Sequence, residues 1–334
     1  MLRIGTIVAD PGLLLAPMED VSDLPFRLIC KELGADIVYT EFVNAEGLVR
    51  SGPEGSRRTA SKLQFLPRER PLGIQLYGAS EDTLERAAEI ANAHEPDLID
   101  INCGCWVSNV ALRGAGAGLL KDLPRLRRVA QKVVGATALP VTVKTRLGWD
   151  AESIHILEVA KMLEDVGIQA LAVHCRTRAQ GHKGTVDYDW IARLKMAVSI
   201  PIILNGDVRE PQEVERSFRE TGCDGVMIGR GAIAHPWLFR EARHYLTTGD
   251  LLAPPALQER AYRCLRHLDL AVKHLGMRAA IVGMRRHYSG YFRGLRGAAQ
   301  LRAELVRCRE LAPLRARIQQ LGEDTSGEDS FRAA

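Results

Sequence analysis

Polar side chains of catalytic type stand at the ends of short apolar runs along this chain. Pro17-Met18-Glu19, Glu41 and Gln75 close the first three runs. Asn102 leads into Cys103-Gly104-Cys105, Lys144 precedes Arg146, and His174 precedes Arg176. Asn205-Gly206-Asp207 and Gly229-Arg230-Gly231 follow the last two runs. One such residue means little, but a ring of them is hard to explain by packing, because a buried polar group must find a partner. The two glycine-bearing turns let backbone N–H groups approach an anion, and Arg230 adds charge, so they read as a phosphate site. Lys144 has three readings: a Schiff-base amine, a cation that stabilises negative charge on a ligand, or a plain ion-pair partner. Gln75 carries donors and an acceptor suited to the edge of a flat heterocycle, and His174 would face the same ligand. Cys105 lies between Gly104 and the glycine-rich stretch Gly114–Gly118, a context for close approach to a ligand. With an ordinary pKa of about 8.5, a cysteine is mostly protonated at neutral pH and can act as an acid.

The runs that must carry these residues are Leu13–Ala16, Ile37–Thr40, Leu72–Leu76, Leu98–Ile101, Val141–Lys144, Ala170–His174, Ile202–Asn205 and Gly225–Ile228. Amphipathic helical patterns separate most of them: Glu81–Asn92, Leu123–Val134, Ile154–Val166 and Pro211–Glu220. Apolar strands alternating with helices indicate a parallel sheet covered by helices, and eight such units close into an α/β fold, the (β/α)8 TIM barrel. Its strand ends would then form one mouth. Glu41–Arg70 reads as an extended loop over that mouth. Residues 1–246 are expected to form the barrel, with Thr247–Asp250 and Ala253–Pro255 as a linker. Residues 256–320 are helical in pattern and predict a small helical bundle, and 321–334 a polar, disordered tail.

Net charge is +4, with 46% hydrophobic and 26% charged residues. The charge is uneven. Ala256–Arg317 holds 14 Lys/Arg against 4 Asp/Glu, a net +10, which suggests a polyanionic partner. No apolar run is long enough to span a bilayer, and no secretory signal is expected at the N-terminus. The seven cysteines are scattered without a CxxC pair, which fits a reducing cytoplasm and argues against a disulfide framework or a zinc site, and no metal is expected. A monomer is expected.

Taken together, these motifs resemble the tRNA-dihydrouridine synthase family. The matching pieces are Leu15-Ala16-Pro17-Met18-Glu19, Thr40-Glu41-Phe42, Gln75-Leu76, Ile101-Asn102-Cys103-Gly104-Cys105 and Gly114-Ala115-Gly116-Ala117. Val143-Lys144-Thr145-Arg146, Val173–Arg178, Asn205-Gly206-Asp207 and Gly229-Arg230-Gly231 continue the match. Met284-Arg285-Arg286-His287-Tyr288 with Gly294 resembles the helical-domain motif of the bacterial B-type branch. The resemblance implies FMN as cofactor and NADPH (or NADH) as reductant. It implies that Pro17, Met18, Gln75, Lys144 and His174 hold the isoalloxazine, and that Asn205, Asp207, Gly229 and Arg230 hold the ribityl phosphate. Asn102 would bind the target uracil and Cys105 would be the acid. Arg176, Arg178, His182, Lys183, Arg285 and Arg286 would contact tRNA. In the family the cysteine is followed by proline; here it is Trp106, which removes a fixed φ and adds bulk beside the site. Three other readings stay open: a flavin barrel acting on a free pyrimidine, an RNA-binding relative weakened by Trp106, and a Schiff-base aldolase.

Overall fold

The computed structural model describes residues 1–50 and 57–323. A two-stranded antiparallel hairpin, β1 (Leu2–Ile4) and β2 (Ile7–Ala9), opens the chain. The parallel strands follow as β3 (Leu13–Leu15), β4 (Val38–Tyr39), β5 (Val43–Asn44), β6 (Leu72–Tyr77) and β7 (Leu98–Cys103). They continue with β8 (Val141–Arg146), β9 (Ala170–His174), β10 (Ile202–Asn205) and β11 (Gly225–Ile228). The strand order is β3-β11-β10-β9-β8-β7-β6-β4, with β5 paired to β6, and a parallel bridge between Leu14 and Ile37 closes the ring. This is the expected eight-stranded barrel.

Its helices are α1 (Leu24–Glu32), α2 (Ala45–Arg50), α3 (Arg57–Ser61), α4 (Glu81–Asn92), α5 (Ser108–Ala111) and α6 (Leu123–Gly135). The layer is completed by α7 (Ile156–Val166), α8 (Asp189–Ala197), α9 (Pro211–Thr221), α10 (Arg230–Ala234) and α11 (Leu238–Thr248). Local chemistry sets their ends. In α9, Pro211 presets the first turn, the Glu213 carboxylate accepts from the Arg209 and Glu210 N–H groups, and Gly222 stops the helix at φ +65°. Asp23 caps α1 and Asp122 caps α6 in the same way, each accepting a backbone N–H three residues on.

The hairpin plugs the end of the barrel opposite the mouth. Leu2, Ile4 and Ile7 share a core with the inward-facing Leu14, Tyr39, Leu98, Ala172 and Met227. Two corrections concern boundaries. Glu41–Arg70 contains β5, α2, α3 and a 3-10 turn at Pro67–Glu69 rather than one open loop, although 51–56 lie outside the described residues. Thr247 and Thr248 finish α11 instead of starting the linker.

Beyond it come α12 (Leu257–Leu275), α13 (Met277–Met284), α14 (Tyr288–Tyr291), α15 (Ala298–Arg307) and α16 (Leu311–Glu323). The expected tail therefore begins as helix, and 324–334 lie outside the described residues. These helices share a core with α1 of the barrel: Leu24, Leu28, Ile29 and Leu33 pack with Leu268, Ile281, Tyr291 and Trp237.

Two histidines are buried at that junction. His267 Nδ1 lies 3.0 Å from the Tyr291 hydroxyl, and the His287 ring sits 4.6 Å from both Phe26 and His267. Burial pushes His267 down to about 3 and His287 well below its usual range. His174 in the barrel is depressed too, first by burial. The unfolded chain protonates these three histidines near pH 6.5 and the folded chain does not, so this stability is full above that pH and drains away as pH falls. Asp23 and Asp100, raised to about 6 by burial, offset part of the loss below that pH. The expected net is a loss of stability on acidification below 6.5. Thermal melts across pH 5–7 should show it, and a His287→Gln variant should flatten the slope. An unchanged Tm over that range would contradict the assignment.

Candidate active site

The strand ends meet at a cavity of about 280 Å³. Ala16, Pro17 and Met18 line it from the end of β3, and Asn102, Gly104 and Cys105 from the end of β7. Lys144 and Arg146 come from β8, His174 from β9, Asn205 from β10 with Asp207 just past it, and Met227 from β11, with Gly229 after that strand and Arg230 opening α10. The wall thus combines an apolar surface with a few convergent polar groups, the usual make-up of a small-molecule site.

Lys144 makes no hydrogen bond or ion pair among the described residues. Burial, helped by Arg146, brings its ammonium down to about 8. Burial, then Arg146 and Lys144, keep His174 neutral at physiological pH. An unpartnered cation and a neutral imidazole on one wall call for an electron-rich ligand edge between them.

The cysteine loop is held from three sides. Asn102 Oδ1 accepts from the N–H groups of Gly104 (3.1 Å) and Cys105 (2.9 Å). The Ala117 N–H donates to the Cys105 carbonyl at 3.1 Å. At Gly116, φ is +57° and an added Cβ would stand 2.9 Å from that of Cys105, so glycine is required there. Arg146, 2% exposed, donates from Nε to the Gly104 carbonyl (2.8 Å) and from Nη1 to those of Thr177 (3.0 Å) and Gly181 (2.9 Å). One guanidinium thereby ties the cysteine loop to the loop after β9. Burial raises the Cys105 thiol above its usual range despite the Val107 N–H, Arg146 and Lys144, so it is protonated at neutral pH.

Trp106 is anchored rather than loose. Its Nε1–H donates to His182 Nε2 at 3.2 Å, the two rings meet edge to face, and Gly181 lies against the indole. Burial, then Arg230 and Arg146, lower His182 to about 4, which keeps Nε2 free to accept. A tertiary hydrogen bond here supplies rigidity that a proline ring would supply covalently.

At the other end, Asp207 adopts φ +48° and accepts from Arg176 Nη2 and Arg230 Nη2, each at 2.6 Å. Those bonds, that to Arg176 foremost, hold its carboxyl below the usual range. Asp207 therefore aims Arg230 and offers no donor of its own to an anion. Asn205 Nδ2 donates to the Met227 carbonyl at 2.7 Å. Gly231 is required by packing, since a Cβ would lie 2.3 Å from the Val208 carbonyl oxygen.

Several expected residues do not reach the cavity. Gln75 is fully buried behind its wall, accepting from Asn102 Nδ2 (2.8 Å) and donating to Asp100 (2.6 Å). Arg176 is buried and braces Asp207 and the carbonyls of Lys183 and Gly184. Arg178 lies 4.4 Å over the Trp149 ring and donates to Ser108, while Lys183 is an exposed rim residue. Arg285 and Arg286, expected in the helical domain rather than the cavity, lie in the turn between α13 and α14. In that segment Arg263, Arg266, Arg315 and Arg317 are used in ion pairs. Lys273, Arg278, Arg285, Arg286, Arg293, Arg296, Arg302, Arg307 and Arg309 have none among the described residues. Sequence reasoning missed Arg146 as the link between loops; its place two residues past Lys144, on the same strand face, was the available signal.

No helix is long and apolar enough to cross a membrane among the described residues. Comparison with known proteins places this geometry. The chain is 40% identical over 308 residues to tRNA-dihydrouridine synthase B of Pseudomonas syringae pv. tomato, covering 90% of this chain and 88% of that protein. It is 38% identical to tRNA-dihydrouridine synthase B of Xanthomonas campestris pv. campestris, covering 92% and 91%. Among solved structures, an old yellow enzyme homologue from Zymomonas mobilis aligns with a TM-score of 0.53 at 15% identity, over 75% of this chain and 92% of that one. Histamine dehydrogenase from Rhizobium sp. 4-9 aligns at 0.57 and 13%, over 80% and 50%. These two likenesses show the fold alone. The family model described as Dihydrouridine synthase (Dus) matches residues 14–324, and the chain belongs to the dihydrouridine synthase family.

Proposed function

We propose that this protein reduces uridine in tRNA to 5,6-dihydrouridine, using FMN in the barrel mouth and NADPH or NADH as electron source. The observation that carries this reading is convergence: Cys105, Lys144, His174 and Arg230, at or just past the ends of four strands far apart in sequence, line one cavity. The relatives' names supply the substrate class.

The residues fit FMN. Lys144 is a cation without a protein partner, Ala16, Pro17, Met18 and Met227 give apolar wall, and Gly229 with Arg230 gives an anion end. When bound and reduced by NADPH or NADH, the flavin would supply the hydride that adds to C6 of uracil; the protein positions and protonates. Cys105 then gives its proton to C5, and Lys144 and Arg146 ease the thiolate that remains. Asn102 has both Oδ1 lone pairs committed to the cysteine loop but one Nδ2 hydrogen left, which can bond a uracil carbonyl. His182 and Trp106 at the rim would meet a nucleotide flipped out of its stack. Action on tRNA implies the cytoplasm as its compartment.

The direct test supplies purified protein with FMN, NADPH and an unmodified tRNA transcript. A gain of two hydrogens on one or more uridines, read by mass spectrometry, is expected; none would reject the reading. The unpaired arginines of the C-terminal helices give a second prediction. Replacing Arg285 and Arg286 together by alanine should weaken tRNA binding and flatten the dependence of log K on log salt by about 1.5–2, two phosphate contacts' worth. An unchanged slope would take both residues out of the RNA contact.

A further inference from the structure

Below the cavity floor runs a buried hydrogen-bond chain with a defined direction. Asp100, 1% exposed on β7, accepts from the Thr142 hydroxyl at 2.5 Å and from Gln75 Nε2 at 2.6 Å. Gln75 Oε1 accepts from Asn102 Nδ2 at 2.8 Å. Asn102 Oδ1 faces the N–H groups of Gly104 and Cys105. An amide can point either way, and two linked amides have two self-consistent orientations. Only one of them puts an oxygen toward the cysteine loop. The reverse would set the Asn102 NH₂ against two part-buried N–H donors, leaving them unpaired.

We infer that Asp100 is a positioning residue: its acceptor-only carboxylate forces Gln75 to donate to it, which fixes Asn102 and thereby the Cys105 loop. Burial raises Asp100 to about 6, while its bonds to Thr142 and Gln75 hold it down, so it is ionised and acceptor-only at neutral pH. The competing role is a counter-charge for Lys144, which also feels Asp100. The two roles differ in whether Gln75 matters. Cys105 as proton donor belongs to the reading above; the effect of Asp100 on loop geometry does not depend on it.

The experiment follows iodoacetamide alkylation of Cys105 by peptide-resolved mass spectrometry in apo-protein at pH 7.5. Cys30, Cys103, Cys175, Cys223 and Cys264 are buried, and Cys308 is read on its own peptide. Asp100→Asn removes the acceptor-only end of the chain, leaving the two loop N–H groups alone to hold Asn102, and should speed Cys105 alkylation about fivefold, as expected for losing one buried hydrogen bond. Gln75→Leu breaks the chain but keeps the Asp100 charge, and should give a similar increase. Combining the two should add nothing, since they cut one path. Asp100→Asn with Gln75→Glu restores an acceptor-only group facing Asn102 and should return the rate to within about twofold of the parent. A parental rate in Gln75→Leu, multiplied effects in the double variant, or no rescue by Gln75→Glu would each overturn the inference. Should Asp100→Asn fail to fold, the Gln75→Leu rate decides alone. Dihydrouridine formation is measured alongside. If Cys105→Ala keeps full activity while the alkylation pattern holds, the proton-donor reading fails and the positioning role stands.

Discussion

Cys105→Ala is expected to cut dihydrouridine formation by about 10²–10⁴-fold while leaving FMN binding and its bleaching by NADPH intact. The size is that of losing one positioned general acid. The split between half-reactions follows from placement. Lys144, His174 and Arg230 stand on β8, β9 and at the end of β11, and none depends on the thiol for its position. Cys105 sits on a separate loop whose anchors are backbone groups: its own N–H and carbonyl, and the Gly104 carbonyl. Removing Sγ therefore leaves the loop in place and subtracts only the proton. Cys105→Ser should be nearly as slow, because a hydroxyl is a far weaker acid than a thiol at the same point. Single-turnover reduction of tRNA by pre-reduced enzyme is the deciding measurement. A rate within about threefold of the parent would move the acid elsewhere, and loss of flavin reduction would mean the loop does more than deliver a proton.

What the sequence made legible has a physical pattern. Strands buried on both faces read as unbroken apolar runs, so β6–β11 were found within a residue or two. Polar residues that break those runs at one end mark the mouth, which is why Lys144, His174, Cys105 and Arg230 could be named together. Side-chain direction was harder to read. Gln75 lies on the inward face but one layer below the mouth, where it bonds Asp100 and Asn102. The sequence places Asp207 at an anion site, yet two arginines from 31 and 23 positions away claim its oxygens. Trp106 looked like the loss of a constraint; its constraint comes from His182, 76 positions on. His287, read as part of a basic motif, is 3% exposed at the junction with α1. Each miss concerns a partner distant in sequence, which periodicity and spacing do not encode. The plug formed by β1 and β2 was missed for another reason: three-residue strands are too short for a pattern.

Glu69→Ala should destabilise the fold by about 3–5 kcal/mol, the cost of leaving one charge of a buried pair alone. Arg27 is 2% exposed and Glu69 fully buried, with Nε to Oε1 at 2.6 Å. Both groups are otherwise satisfied. Arg27 donates to the carbonyls of Ser22 (2.8 Å) and Gln64 (2.9 Å), and Glu69 Oε2 accepts from the Leu66 N–H. Burial raises the Glu69 carboxyl, and Arg27 opposes the rise. Without the carboxylate, Arg27 keeps two carbonyl partners but no counter-charge in a dry site. Denaturant titration should show the midpoint falling, and Arg27→Met with Glu69→Met should be more stable than Glu69→Ala, since no unpaired charge remains. A cost of about 1 kcal/mol or less would place the pair among exposed salt bridges in energy. The effect reaches the site by a short path. Arg27 holds the Ser22 carbonyl, and the Ser22 hydroxyl accepts the N–H of Met18, which lines the cavity. Glu69→Ala should therefore weaken FMN binding at temperatures well below its Tm. A variant that loses only stability would show that the Met18 wall is held by β3 alone.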